Sequence, residues 1–436
     1  MTRSSLLLAT LLCLVPTPAF AQSYVIAAPG GGAILRVVTG DAACPVAQVD
    51  GAPHALAERS GPRDDTSRAA PSAFPLRVCE VPLARDVRQV RVENRSVPVL
   101  PRVVRRIVVI GDTGCRLKAA TDAWQACNDP RAWPFARVAR VAAAMRPDLV
   151  LHVGDYDYRE NACPEDKAGC AGSPHGYGWD AWRADFLTPA APLLTAAPWV
   201  MVRGNHEECA RAGLGWWILL DPHALETGAD CSDPARYFAG DHRDPYAVEL
   251  GGQARLIVAD LSAMGEKPLI GAALARYTSD AARIRDLARV GDTNFVTAHY
   301  PFGAVTGTQH KGFRRGIPAI GQAFGTTAPA LVPDLPAVTA MLAGHVHMLQ
   351  YVADHGHPTQ LVIGFSGTQE DAPKAPATVN DPGIAGSLPS VTDLASRFGQ
   401  YGFGLMTRRA DGRWNFTAYD QNGKVLLRRK IARAGD

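Results

Sequence analysis

Seven short apolar runs punctuate the chain after Arg105: RRIVVIGDTG, DLVLHVGDYDY, APWVMVRGNHE, ARLIVADLS, TNFVTAHYP, VTAMLAGHVHM and TQLVIGFSG. Each hands over to glycine or polar residues at its C-terminal end. A short run that is apolar on both of its alternating faces reads as a strand buried between layers. Helical periodicity fills the intervals, with Phe135, Val138, Val141 and Met145 on one face, and Ile284 and Leu287 on another in SDAARIRDLAR. Strand and helix in alternation predict an α/β fold. Ligands in open sheets of this kind bind where the carboxyl ends of the strands emerge, so those ends are where chemistry is expected.

Five of the ends present Asp112, Asp155, Asn205, His299 and the pair His345 and His347. Any one of them would pass for a polar turn or a hydrogen-bonded structural histidine. Together they are two carboxylates, an amide oxygen and three imidazoles on equivalent strand ends, a donor set that hard and borderline metals accept.

The rest of the chain constrains location and partners. Residues 1–21 set Arg3 before an apolar run from Leu6 to Val15 and end on Ala19-Phe20-Ala21, the layout of a cleaved secretory signal peptide. A periplasmic or secreted protein is expected. No later stretch is apolar over the length that spans a bilayer, so no membrane partner is expected. A formal charge of +3 without a dense basic run argues against a nucleic-acid partner. Outside the leader the cysteines are Cys44, Cys79, Cys115, Cys127, Cys163, Cys170, Cys209 and Cys231. An even set in an oxidising compartment predicts disulfides. Short loops favour sequential pairing, and no CxxC knuckle supports cysteine-bound zinc. Residues 22–104, with alternation in VRQVRVENRSVPVL, are expected to form a small strand-rich N-terminal domain ahead of a catalytic domain over 105–436. DAPKAPATVNDPGIAGSLPSV reads as a surface loop.

The ordered blocks GDTG (111–114), GDYDY (154–158), GNHE (204–207), VTAH (296–299) and GHVH (344–347) resemble those of the calcineurin-like metallophosphoesterases. The resemblance covers about residues 105–425. It implies a four-layer αββα sandwich of two mixed sheets, and hydrolysis of a small phosphorylated substrate at a dinuclear metal site.

One departure sharpens the resemblance. Most of that superfamily has DxH in the first block, whereas this chain has Asp112-Thr113-Gly114 and gains Tyr158 at the end of the second. The paired change is similar to the purple acid phosphatases, in which a tyrosinate is implied to bind ferric iron. Exchanging a neutral imidazole for an anionic phenolate matches the extra charge of a trivalent ion. Carried over by position, Fe(III) would take Asp112, Asp155, Tyr158 and His347. A divalent ion, Fe(II), Zn or Mn, would take Asp155 as the bridge with Asn205, His299 and His345. His206 resembles the residue that contacts substrate and donates a proton to the leaving alkoxide, with Glu207 orienting it, and Tyr300 stands where a further substrate contact is expected. The implied activity is a phosphomonoesterase working at acidic pH through a hydroxide held on the metals. The alternative is a phosphodiesterase or nucleotide phosphohydrolase using the same site. His310, Lys311, Arg314 and Arg315 form a basic loop that could recruit anions.

Overall fold

The computed structural model describes residues 21–64, 71–224, 231–308, 312–326, 332–370, 375–381 and 384–431. Residues 1–20, which hold most of the expected signal peptide, His310, Lys311 and residues 371–374 of the proline-rich loop lie outside them.

Two sheets face each other. The ten-stranded sheet runs in the order Val425–Ile431, Trp414–Asp420, Gly402–Arg408, Arg106–Ile110, Leu149–His152, Trp199–Met201, Ala21–Ala27, Ala33–Thr39, Arg77–Leu83, Ala57–Ser60. The seven-stranded sheet runs Tyr246–Gly251, Ala254–Val258, Thr293–Thr297, Ala340–Ala343, Thr359–Ile363, Leu349–Asp354, Val391–Arg397. The motif-bearing strands are parallel within each sheet, so their carboxyl ends emerge on one side.

Side-chain alternation builds the layers. Ile107 and Val109 enter the core between the sheets, together with Leu256, Phe295 and Leu342. Val108 and Ile110 face outward and are covered by the helices Phe135–Ala144 and Thr188–Leu194. The helices Gly271–Ala288 and Pro318–Phe324 cover the other sheet through Tyr277, Ile284 and Ile320. This is the expected αββα sandwich of mixed sheets. Burial on both faces is why these strands read as unbroken apolar runs.

The strands before residue 105 do not stand as a body apart. Ala21–Ala27 pairs in parallel with Trp199–Met201, Ile26 opposite Trp199, and three further strands extend the same sheet. Val25, Leu35 and Val37 enter the core between the sheets, while Tyr24, Ile26 and Val38 join the helix-covered side. Only 46–49, 52–55, 90–92 and 95–97 make a separate four-stranded sheet. There the expected alternation holds, with Val90 and Val92 buried and Arg91 exposed, and the chain reverses through Glu93 and Asn94 at φ 47° and 65°.

All four disulfides join neighbours in sequence: Cys44–Cys79, Cys115–Cys127, Cys163–Cys170 and Cys209–Cys231. Among the described residues no helix is long and apolar enough to cross a membrane.

Candidate metal centre

Asp112, Asp155 and Asn205 follow consecutive strands of the ten-stranded sheet, and His299, His345 and His347 follow neighbouring strands of the other. Their side chains meet where the two sets of strand ends converge. Asp112, Asp155 and His345 turn off their strands at φ 54°, 61° and 69°. Left-handed backbone of this kind outside glycine is uncommon and gathers at functional sites, although Asp and His tolerate it better than most residues.

The donors fall into two groups that share Asp155. In the first, the Tyr158 hydroxyl lies 2.6 Å from Asp155 Oδ2, 3.1 Å from Asp112 Oδ1 and 2.9 Å from His347 Nε2. In the second, Asn205 Oδ1 lies 3.1 Å from both His299 Nε2 and His345 Nδ1, and His299 Nε2 is 3.2 Å from Asp155 Oδ2. Ligand atoms of Asp112, Asp155 and His299 lie within 4.8 Å of one another.

The chemistry of these donors fits cations in both groups. His299 donates its far nitrogen to the Val153 carbonyl at 2.9 Å, and His347 donates its own to the Gln369 carbonyl at 3.0 Å. That aims each Nε2 inward at the other donors, the orientation typical of metal-binding histidine. The far nitrogen of His345 faces a side chain instead, Glu266 Oε1 at 3.2 Å. Burial alone would raise Asp155 and lower His299, but each overrules that for the other. The carboxyl is held well below its ordinary value and the imidazole is raised to about 9. Burial and the Asp155 and Asp112 charges push the Tyr158 hydroxyl well above its usual range.

Packing explains why the first block has no imidazole. A Cβ on Gly114 would stand 2.6 Å from the Tyr156 carbonyl oxygen and 2.8 Å from the Tyr158 nitrogen. The loop that brings Tyr158 into the site occupies the space a side chain at 114 would need. Asp185 clamps that arrangement. Fully buried, it accepts the Cys115 N–H at 3.0 Å and the Tyr158 N–H at 2.8 Å and pairs with Arg159. A lone carboxylate in the apolar stretch WRADFL was the signal that could have found it.

His206 packs its ring on Tyr158, centroids 3.8 Å apart, and its backbone N–H donates to Asp155 Oδ1 at 2.9 Å. Glu207 departs from the orienting role expected of it. Its carboxylate accepts the backbone N–H groups of Asp155, Tyr156, Asp157 and Gly204 at 2.8–3.2 Å. Burial and the Asp155 charge push it up to about 7 against the pull of those donors. A glutamate one residue beyond His206 in a tight 3-10 turn is carried back under the preceding loop. The groups beside the His206 ring are Arg211 and Glu160, which spacing alone does not reveal. Tyr300 is buried with its ring centroid 4.3 Å from that of His345. Trp216 and Trp217 are buried, as core residues would be.

The chain belongs to the calcineurin-like phosphoesterase family, whose profile matches residues 105–349. It is thus a metal-dependent phosphoester hydrolase, and its fold is purple acid phosphatase-like. The structure of purple acid phosphatase PPD1 isolated from yellow lupin (Lupinus luteus) seeds is similar to it over 96% of this chain and 75% of that one, with a TM-score of 0.58 at 13% identity. No curated protein matches.

Proposed function

We propose that the protein is an exported phosphomonoesterase of the purple acid phosphatase kind. Fe(III) is held by Asp112, Asp155, Tyr158 and His347, and a divalent ion, Fe(II), Zn or Mn, by Asp155, Asn205, His299 and His345. The observation that carries this reading is the Tyr158 hydroxyl within 3.1 Å of three other donors, beside a Gly114 that has no room for a side chain. Two such ions supply an activated water and charge neutralisation for in-line displacement at phosphorus. The chain itself orients the donors through carbonyls and N–H groups and buries Asp112, Asp155, Tyr158, His299 and His347 while leaving Asn205 and His345 partly open to solvent. His206 and Tyr300 stand beside the two donor groups, where they can contact the phosphoryl oxygens of a small substrate. Four disulfides and the leader-like first 21 residues support export.

The deciding measurement is the visible absorption spectrum of the oxidised, purified protein beside that of Tyr158→Phe. A violet charge-transfer band that the substitution abolishes is expected. A colourless protein that carries two metals would remove the iron–tyrosinate assignment.

A trivalent ion acidifies water more than a divalent one, so kcat/KM is expected to peak below neutral pH. A maximum well above neutrality would contradict it. A panel of monoesters and diesters is expected to favour monoesters.

A further inference from the structure

We propose that the loop around Glu266 holds the leaving group, and that the Glu266 carboxylate selects phosphomonoesters whose alcohol carries a positive charge, such as an aminoalkyl phosphate, over those whose alcohol is anionic. The proposal rests on the phosphomonoesterase reading above.

Solvent reaches the donors from one side. Asp112, Asp155, Tyr158, His299 and His347 are buried, and so are His206 and Tyr300, while Asn205 and His345 are partly exposed. A phosphoryl group bound against the donors therefore turns its ester substituent toward Asn205 and His345.

Glu266 stands on that rim. Its side chain is 62% exposed, and Oε1 lies 3.2 Å from Nε2 of His345, whose Nδ1 faces Asn205. One imidazole ring thus separates the carboxylate from the donor atoms. Glu266 also lines an open hollow of about 450 Å³ along residues 264–270, together with Met264, Leu269 and Ile270. Ile270 is 83% exposed and offers apolar surface for a short alkyl chain to cover.

The two sides of the site differ in sign. Beside His206, Glu160 lies between two cations, Arg211 at 2.6 Å and Lys118 at 3.6 Å, which makes that group of three net positive. Beside His345 the group touching the donor is a carboxylate. Lys267 lines the same hollow, one residue beyond the one that touches His345. A zwitterionic ester, with its phosphate at the donors and its ammonium toward Glu266, matches this polarity. An alcohol with its own carboxylate would bring like charges together, which disfavours it. Because Glu266 is exposed, the discrimination is modest and falls with salt.

The test uses the full chain loaded with zinc, its metal content assayed, and three non-hydrolysable probes of similar size: aminoethylphosphonate, propylphosphonate and carboxyethylphosphonate. Calorimetry gives each Kd, with propylphosphonate as the reference. In Glu266→Gln the aminoethyl probe is expected to lose about 2- to 5-fold relative to that reference and the carboxyethyl probe to gain about as much, the size of one exposed ion pair. Glu266→Lys should widen both shifts, about 1 M salt should shrink them, and Lys267→Gln should move the ratios less than Glu266→Gln does. An equal loss on all three probes, or loss of metal, in Glu266→Gln would show that Glu266 only orients His345, and would overturn the proposal. So would ratios that stay the same in Glu266→Gln, or that move further in Lys267→Gln.

The corresponding phosphate esters are assayed for kcat/KM and are expected to shift in the same ratios. If the wild type hydrolyses no phosphomonoester, the functional reading falls, while the phosphonate affinities still decide the charge preference of the loop.

Discussion

Glu207→Ala is expected to strip the metal centre and cost about 3 kcal/mol of stability or more, although Glu207 is not among the donors. Its fully buried carboxylate satisfies four backbone N–H groups, two on Oε2 (Asp155 at 3.1 Å, Gly204 at 3.0 Å) and two on Oε1 (Tyr156 at 2.8 Å, Asp157 at 3.2 Å). Each buried donor left without an acceptor costs about 1–3 kcal/mol, and water admitted into the space recovers only part of that. The same four bonds hold Asp155 in its left-handed turn, so their loss releases the carboxylate that both donor groups share. Glu207→Gln keeps one acceptor oxygen and should fall between the wild type and alanine. Metal content and urea unfolding read the effect directly. Normal metal content and an unchanged midpoint, with only kcat reduced, would return Glu207 to a catalytic role.

Arg36→Met is expected to lower stability by about 1–3 kcal/mol, because it leaves the Asp221 carbonyl without this donor while Glu80, partly exposed, keeps Arg59. Arg36 is fully buried, donates to the carbonyls of Leu219 and Asp221 at 2.9 Å and 3.0 Å, and pairs with Glu80 at 2.5 Å. Arg59 donates to the carbonyls of Trp217 and His223, and the Tyr24 hydroxyl to that of Leu219. Three side chains from strands before residue 61 therefore hold the carbonyls that end the helical turn after GNHE. The turn in turn packs on the metal loop, with the Trp216 ring centroid 5.8 Å from that of Tyr156. The urea midpoint should fall with the slope unchanged. A variant as stable as the wild type would show that the clamp contributes little.

The donors were legible because each sits directly after a buried strand, where apolar periodicity ends and chemistry begins. Tyr158 stood out because Gly114 lacked the imidazole expected there, and both signals are local. What the sequence did not disclose depends on distant packing. The pairing of Ile26 with Trp199 leaves no trace in either segment, because a buried strand reads alike whichever neighbour it finds. Glu207 looked like a partner of His206 because it follows it, and only the tightness of the turn sends its carboxylate elsewhere. Nothing in the sequence singled out Arg211. Its place against His206 follows from the path of the chain beyond GNHE.

The parallel seam between Ala21–Ala27 and Trp199–Met201 also bears on how the protein can be divided. The family profile begins at residue 105, which invites a cut there to obtain a minimal enzyme. Such a cut would lay bare the hydrogen-bonding edge of Trp199–Met201, the strand that delivers Asn205, and would uncover apolar side chains on both of its faces. An unprotected edge next to exposed apolar surface recruits foreign strands. A boundary of shared ancestry here is not a boundary of independent folding, and the shortened enzyme would be expected to aggregate before it could be assayed.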